Sequence, residues 1–208
     1  MTTLSEQITA AQILLGDPTG TKYTTDILTE AFRQSLSWFD MFFPQVLTET
    51  ITLDSTDRIV ELDTLINCKQ IISIIHPVDA PNQEKSFSPP FYSFFKGAIP
   101  WLQFTGTYIV SIGDQFVITY TSTNWIDGLD DAVATTVPWD LLPLLTRGAV
   151  AIAKGIRSSE INEPYGNQGP ESTRLLDQHE REMKAFRADL LMLKPVNFVG
   201  FPGDGFPI

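Results

Sequence analysis

The sequence predicts an α+β protein: a four-helix bundle of two N-terminal and two C-terminal helices, an inserted antiparallel β domain, and an extended C-terminal tail. Three observations predict it. Apolar residues recur at three- and four-residue spacing near both ends of the chain, short β-branched and aromatic runs fill the middle, and glycine and proline interrupt the last stretch from Pro195. With 208 residues, 43% apolar and 19% charged, the chain has the composition of a folded protein rather than a disordered one. A chain of that length buries roughly 70% of its unfolded surface on folding, so a real core is available.

The first helix is expected from Leu4 to Leu15, opened by a capping box in which Thr3 is the cap and Glu6 lies three residues on. Gly16-Asp17-Pro18 stops it. A second helix should run from about Thr25 to Phe43, because Ile27, Leu28, Ala31, Phe32, Leu36, Phe39, Phe42 and Phe43 follow helical spacing, and Pro44 ends it. Its last turns, Trp38 included, are aromatic enough to serve as core under a sheet or as a subunit contact.

From Val46 the period changes. Runs of β type follow at Leu47 to Leu53, Arg58 to Leu62, Gln70 to His76, Ile99 to Phe104, Tyr108 to Ile112 and Gln115 to Thr123. Gly113-Asp114 reads as a hairpin turn joining the last two. Asp79 to Phe95 contains Pro81, Pro89 and Pro90 and reads as an irregular surface excursion.

Helical spacing returns after Val137, with Pro138 suited to a first helical position and Leu141 to Ile156 forming an apolar helix whose Gly148, Ala149, Ala151 and Ala153 permit close approach of another helix. Ser158 to Gly169 reads as a polar loop. The last helix is expected from Ser172 to Leu193, with Leu175, Leu176, His179, Met183, Phe186, Leu190 and Leu193 on one stripe. The expected segments are therefore 1–44 and 137–194 for the bundle, 45–136 for the β domain and 195–208 for the tail.

That tail repeats Gly-Phe-Pro and carries Phe198, Val199, Phe201, Pro202, Phe206 and Ile208. No helix fits it, yet it is too apolar for a solubilising end. These six residues are the candidate partner-binding site, because ordering a flexible segment is offset only where large side chains fill pockets on another chain.

The net charge is −11, and the distribution matters: residues 1–144 hold 17 Asp/Glu against 6 Lys/Arg, whereas residues 145–208 hold 8 of each. A surface with that excess repels phosphate backbones, so gripping of nucleic acid is not expected. The single cysteine, Cys68, can form no internal disulfide, which fits a reducing compartment. Neither a signal peptide nor a membrane span is expected, and the protein should be soluble.

Chemistry has few candidates. His76 precedes Pro77 at a strand end and His179 lies on a helix stripe, so each reads as a packed side chain, and one cysteine with two separated histidines has no zinc spacing. Gly16-Asp-Pro-Thr-Gly20-Thr-Lys22 has three residues between its glycines where a phosphate loop has four, and Thr21 stands before the lysine. Asp127-Gly-Leu-Asp130-Asp131 lacks the alternating oxygens of a calcium loop. Glu160 with Glu163, and Glu180 with Glu182, read as solvated charges rather than an acid–base pair. No catalytic residue, metal or cofactor is expected. Trp101, Tyr108, Tyr120 and Trp125 could instead form a stacking platform for carbohydrate on a β-sandwich binding module, although the apolar neighbours of Tyr108 and Tyr120 at two-residue spacing favour core packing.

The order helix, helix, β insertion, helix, helix, loose tail, with the stretches Leu15 to Leu36 and Val137 to Lys154, resembles the head-tail adaptor (connector or neck) proteins of tailed bacteriophages. The first stretch is similar to the family's opening turn and helix, the second to its alanine-rich third helix, and the β region is larger than in compact members. The resemblance implies a virion structural protein, not an enzyme, present in a homo-oligomeric ring, usually a dodecamer, beneath the portal; another phage tail or head completion protein is the alternative close in kind. Its partners would be the portal protein, neighbouring copies of itself and a tail or nozzle protein. DNA would pass without specific binding during genome ejection, no membrane would be involved, and the protein would be assembled in the host cytoplasm into the virion neck. It further implies that Phe198, Phe201 and Phe206 of the tail dock on the portal or a neighbouring subunit.

Overall fold

In the computed structural model the described residues are 2–54, 59–65, 67–76, 85–87, 92–96, 100–104, 111–162 and 169–193. They contain helices α1 (Leu4–Leu14), α2 (Thr25–Phe42), α3 (Leu142–Asn162) and α4 (Pro170–Leu193). The strands are β1 (Gln45–Thr52), β2 (Ile59–Glu61), β3 (Gln70–His76), β4 (Lys85–Phe87), β5 (Tyr92–Phe95), β6 (Trp101–Phe104) and β7 (Gln115–Ser122). The chain divides into two compact units: a helical one running up to Phe43 and resuming at Asn124, and a β unit from Pro44 to Thr123.

Local chemistry sets the helix starts. The Thr3 hydroxyl accepts from the Glu6 amide while the Glu6 carboxylate accepts from the Thr3 amide, so two of the unpaired donors at the start of α1 are satisfied reciprocally. The Thr24 hydroxyl accepts from the Ile27 amide and caps α2. Helix α4 begins on Pro170, where a missing N–H costs nothing. Helix α3 starts at Leu142, after a turn in which the Leu141 amide donates to the Pro138 carbonyl, so Pro138 precedes the helix rather than opening it. At its other end α3 continues to Asn162, absorbing the start of the expected loop at Ser158. There the Ser158 hydroxyl is buried and donates to the Ser172 carbonyl of α4 at 2.9 Å, so the position belongs to a helix contact, not to a solvated loop.

Within the helical unit α3 packs against all three other helices. Its fully buried Ala149, Ala151 and Ala153 make room for them, and the core joins Ala11 of α1, Leu28, Ala31, Phe32 and Phe39 of α2, Leu145 of α3, and Phe186 and Leu190 of α4. The contact of α2 with α3 is fixed by Ser35, whose hydroxyl donates to the Leu145 carbonyl at 2.8 Å. Thr146 donates to Gln7 at 2.6 Å and ties α1 to the same helix.

The β unit holds a four-stranded antiparallel sheet in the order β1-β7-β3-β4 and a three-stranded antiparallel sheet in the order β2-β6-β5. One core is common to both: Ile71, Ile74, Phe116, Ile118 and Tyr120 from the first, Tyr92, Leu102 and Phe104 from the second. The Phe104 and Phe116 ring centroids lie 5.0 Å apart. An irregularity between Ile71 and Ser73 shifts the β3–β7 register.

Three expectations for this region are corrected. The stretch Asp79 to Phe95 is not wholly irregular, because Lys85–Phe87 pairs with β3 and Tyr92–Phe95 pairs with β6. Ile112 lies in a turn, not in a strand. There the Gly113 amide donates to the Leu53 carbonyl, the Leu53 amide to the Asp114 carbonyl and the Ser111 amide to the Asp114 carboxylate. The expected partner of β7 at Tyr108 to Val110 lies outside the described residues, and β7 pairs with β1 and β3. Finally, residues 124–136, expected in the β domain, pack with the helices. Ile126 is fully buried in the helical core, and the Leu4 amide donates to the Asp127 carbonyl.

Candidate interaction site

The six tail residues singled out as a binding site, Phe198, Val199, Phe201, Pro202, Phe206 and Ile208, lie outside the described residues. The other candidates can be placed.

The loop after α1 is organised by its own carboxylate. Asp17, buried in the helical unit, accepts from the amides of Thr21 (3.2 Å), Lys22 (2.7 Å) and Tyr23 (2.8 Å) and from the Thr21 hydroxyl (3.0 Å). These bonds, the Tyr23 amide foremost, outweigh the opposing effect of burial and push the Asp17 carboxyl down to about 2. A phosphate-binding loop needs its amides for the ligand; here they already hold an internal anion. Gly16 and Gly20 both take positive φ, 66° and 65°, which the tight turn requires.

The Asp127–Asp131 loop is likewise engaged internally. The Arg33 guanidinium donates from Nε and Nη2 to the Asp130 carboxylate and from Nη1 to Glu30. These bonds raise the Arg33 pKa and hold that of Asp130 below the ordinary carboxylate value. Asp130 and Asp131 take φ of 51° and 62°, and the Gly128 amide donates to the Ala132 carbonyl. Among the described residues no three His, Cys, Asp or Glu side chains are grouped as a metal site would need.

His179 turns its Nδ1 to the Ala151 carbonyl at 2.8 Å and packs against Gly155, which ties α4 to α3. The side chain of His76 is outside the described set. Cys68 is buried, and burial pushes its thiol up to about 11, which leaves it protonated and inert. Glu160 pairs with Arg157 and Glu182 with Lys154, while Glu163 lies outside the described residues. No described helix is long and apolar enough to cross a membrane.

The four aromatics considered as a stacking platform do not form a described row. Tyr120 is in the core of the β unit, Trp125 belongs to the helical unit, and Tyr108 lies outside the described residues. Trp101 stacks on Phe95 with centroids 3.8 Å apart.

One polar cluster was not legible as such in the sequence. Asp40, buried near the end of α2, accepts from both the amide (2.9 Å) and the side-chain Nδ2 (2.7 Å) of Asn124, and Nδ2 also donates to the Phe43 carbonyl. The Trp125 amide donates to Thr136 Oγ1 at 2.8 Å. Together these fasten the chain as it re-enters the helical unit. A lone aspartate between Phe39 and Phe42 was the only signal for it.

No protein-family model matches the chain. No curated protein matches it either. Among solved structures it is similar to a chain from the neck of an empty GTA particle computed with C6 symmetry, at 14% identity over 71% of this chain and 74% of that chain, with a TM-score of 0.34.

Proposed function

We propose that the chain is a non-enzymatic virion structural protein of the head-tail adaptor kind, forming a ring beneath the portal and joining it to the tail. The observation that carries this reading is the packing of two stretches far apart in sequence. Leu15 to Leu36 and Val137 to Lys154, which carry the resemblance to tailed-phage adaptors, meet in one helical unit through Ser35 and Leu145. The β unit is inserted between them.

Two physical features support it. Three of the candidate catalytic or ligand-holding groups are engaged within the fold: Asp17 with its own loop, Asp130 with Arg33, His179 with Ala151. The excess negative charge of residues 1–144 suits a passage that DNA crosses without adhering. In this reading Phe198, Phe201 and Phe206 anchor the tail on the portal or on a neighbouring copy, and the helical segments form a four-helix bundle.

The test is cryo-electron microscopy of particles purified from the source lysate. A symmetric ring of this chain between portal and tail supports the reading, and absence of the chain from particles ends it. A chain stopped at Lys194 separates the arm from the rest: normal assembly on the portal would remove the docking role of the tail alone.

A further inference from the structure

Sheet edges present unpaired N–H and C=O groups, and folded proteins keep such edges short or obstructed. The two sheets have four edges. β2 and β4 are three residues long and β5 is four, whereas β1 is eight residues, Gln45–Thr52, paired with β7 in unbroken register and with no other described strand. It contains no proline, lysine or bulge.

Its only charge is informative. Glu49 stands opposite the buried Ile118, and Leu47 and Ile51, on the same side of β1, pack against the core of the β unit. Glu49 is therefore on the inward side of the strand, yet exposed at its rim. It opens on a groove of about 770 Å³ between β1 and β2, whose described lining also includes Thr50, Thr52, Asp54, Glu61 and Asp63 and, among the described residues, no lysine or arginine. An inward charge on an edge obstructs pairing with neutral or acidic strands, and a strand that brings a cation to it removes the obstruction.

We propose that the β1 edge is a docking site for an extended segment of a partner protein bearing lysine or arginine, which adds as a fifth strand to the four-stranded sheet. Main-chain hydrogen bonds to β1 hold it, and its cations face Glu49 and Glu61 across the groove. The β1 of a second copy does not suit the site, because it would bring a second acidic groove against the first. The inference stands on the β unit alone and does not depend on the adaptor reading.

The intact purified chain is titrated with a labelled peptide of about ten residues alternating valine and lysine, and with its glutamate counterpart, while amide exchange is followed. The lysine peptide is expected to bind and to slow exchange in Gln45–Thr52. Glu49→Lys should weaken it by about tenfold or more and favour the glutamate peptide. Glu49→Gln, nearly isosteric at an exposed position, should weaken it severalfold without disturbing the fold. The proposal is overturned if β1 exchange is not slowed at millimolar peptide, if both peptides slow it equally, or if Glu49→Gln leaves the affinity for the lysine peptide unchanged.

Discussion

Gly148 of α3 lies directly against the ring of Phe186 on α4: a methyl group built on its Cα would stand 2.6 Å from Phe186 Cζ and 2.5 Å from Ser35 Oγ of α2. Three helices thus meet at a point where only a hydrogen atom fits. Gly148→Ala should destabilise the protein by about 1–3 kcal/mol through this overlap, despite alanine's better helix propensity. Phe186→Ala should cost about 3–5 kcal/mol through the cavity it leaves. The two changes share a contact, so urea unfolding of the double variant should show less than the summed loss. Strict additivity would show that the methyl is accommodated elsewhere.

Asn124→Ala removes the Nδ2 donor from the buried Asp40 carboxylate and from the Phe43 carbonyl. A loss of about 2–3 kcal/mol is expected, because a buried charged acceptor loses a partner. Asn124→Asp should be worse, since it sets two carboxylates together. Denaturation midpoints compare the two directly, and a neutral Asn124→Ala would remove the clamp from this account.

The Asp17 carboxyl is lowered from 3.8 unfolded to about 2 folded. A depressed folded pKa means the unfolded chain binds the proton more readily, so the stabilisation is complete above 3.8 and declines as pH falls toward 2. Thermal midpoints of the parent and Asp17→Asn should therefore differ at neutral pH, with the parent higher, and converge below about pH 2. An unchanged difference across that range would mean that the loop does not depend on the charge.

Cys68 should react with an aromatic disulfide reagent only as the β unit opens. Burial keeps the thiol protonated, so labelling between pH 7 and 9 should be far slower than for a free thiol and should accelerate with mild urea. Immediate stoichiometric labelling would contradict this.

Much of the secondary structure was legible from local chemistry, since a cap or a helical stripe depends on residues within one or two turns. The Thr3–Glu6 box opens α1, and the stripe on α2 is the face that is buried. The small residues of α3 mark a close helix contact, and the structure places all three other helices against it. Phosphate-loop and calcium-loop spacing also failed on sequence, and the structure adds the reason that Asp17 and Asp130 already have internal partners. Local patterns misled where strands are short and broken by proline. Residues 85–87 and 92–95 sit among prolines and glycine yet pair with the strands next to them in sequence, β3 and β6, and residues 124–136 look like part of the β run yet belong with the helices. The sequence by itself determined where most helices and strands form, because that follows from capping, period and turn residues. Only the tertiary structure decided which long strand lies at the edge of its sheet among the described strands, which carboxylates turn inward and why residue 148 must be glycine, because each depends on atoms brought together across tens of residues.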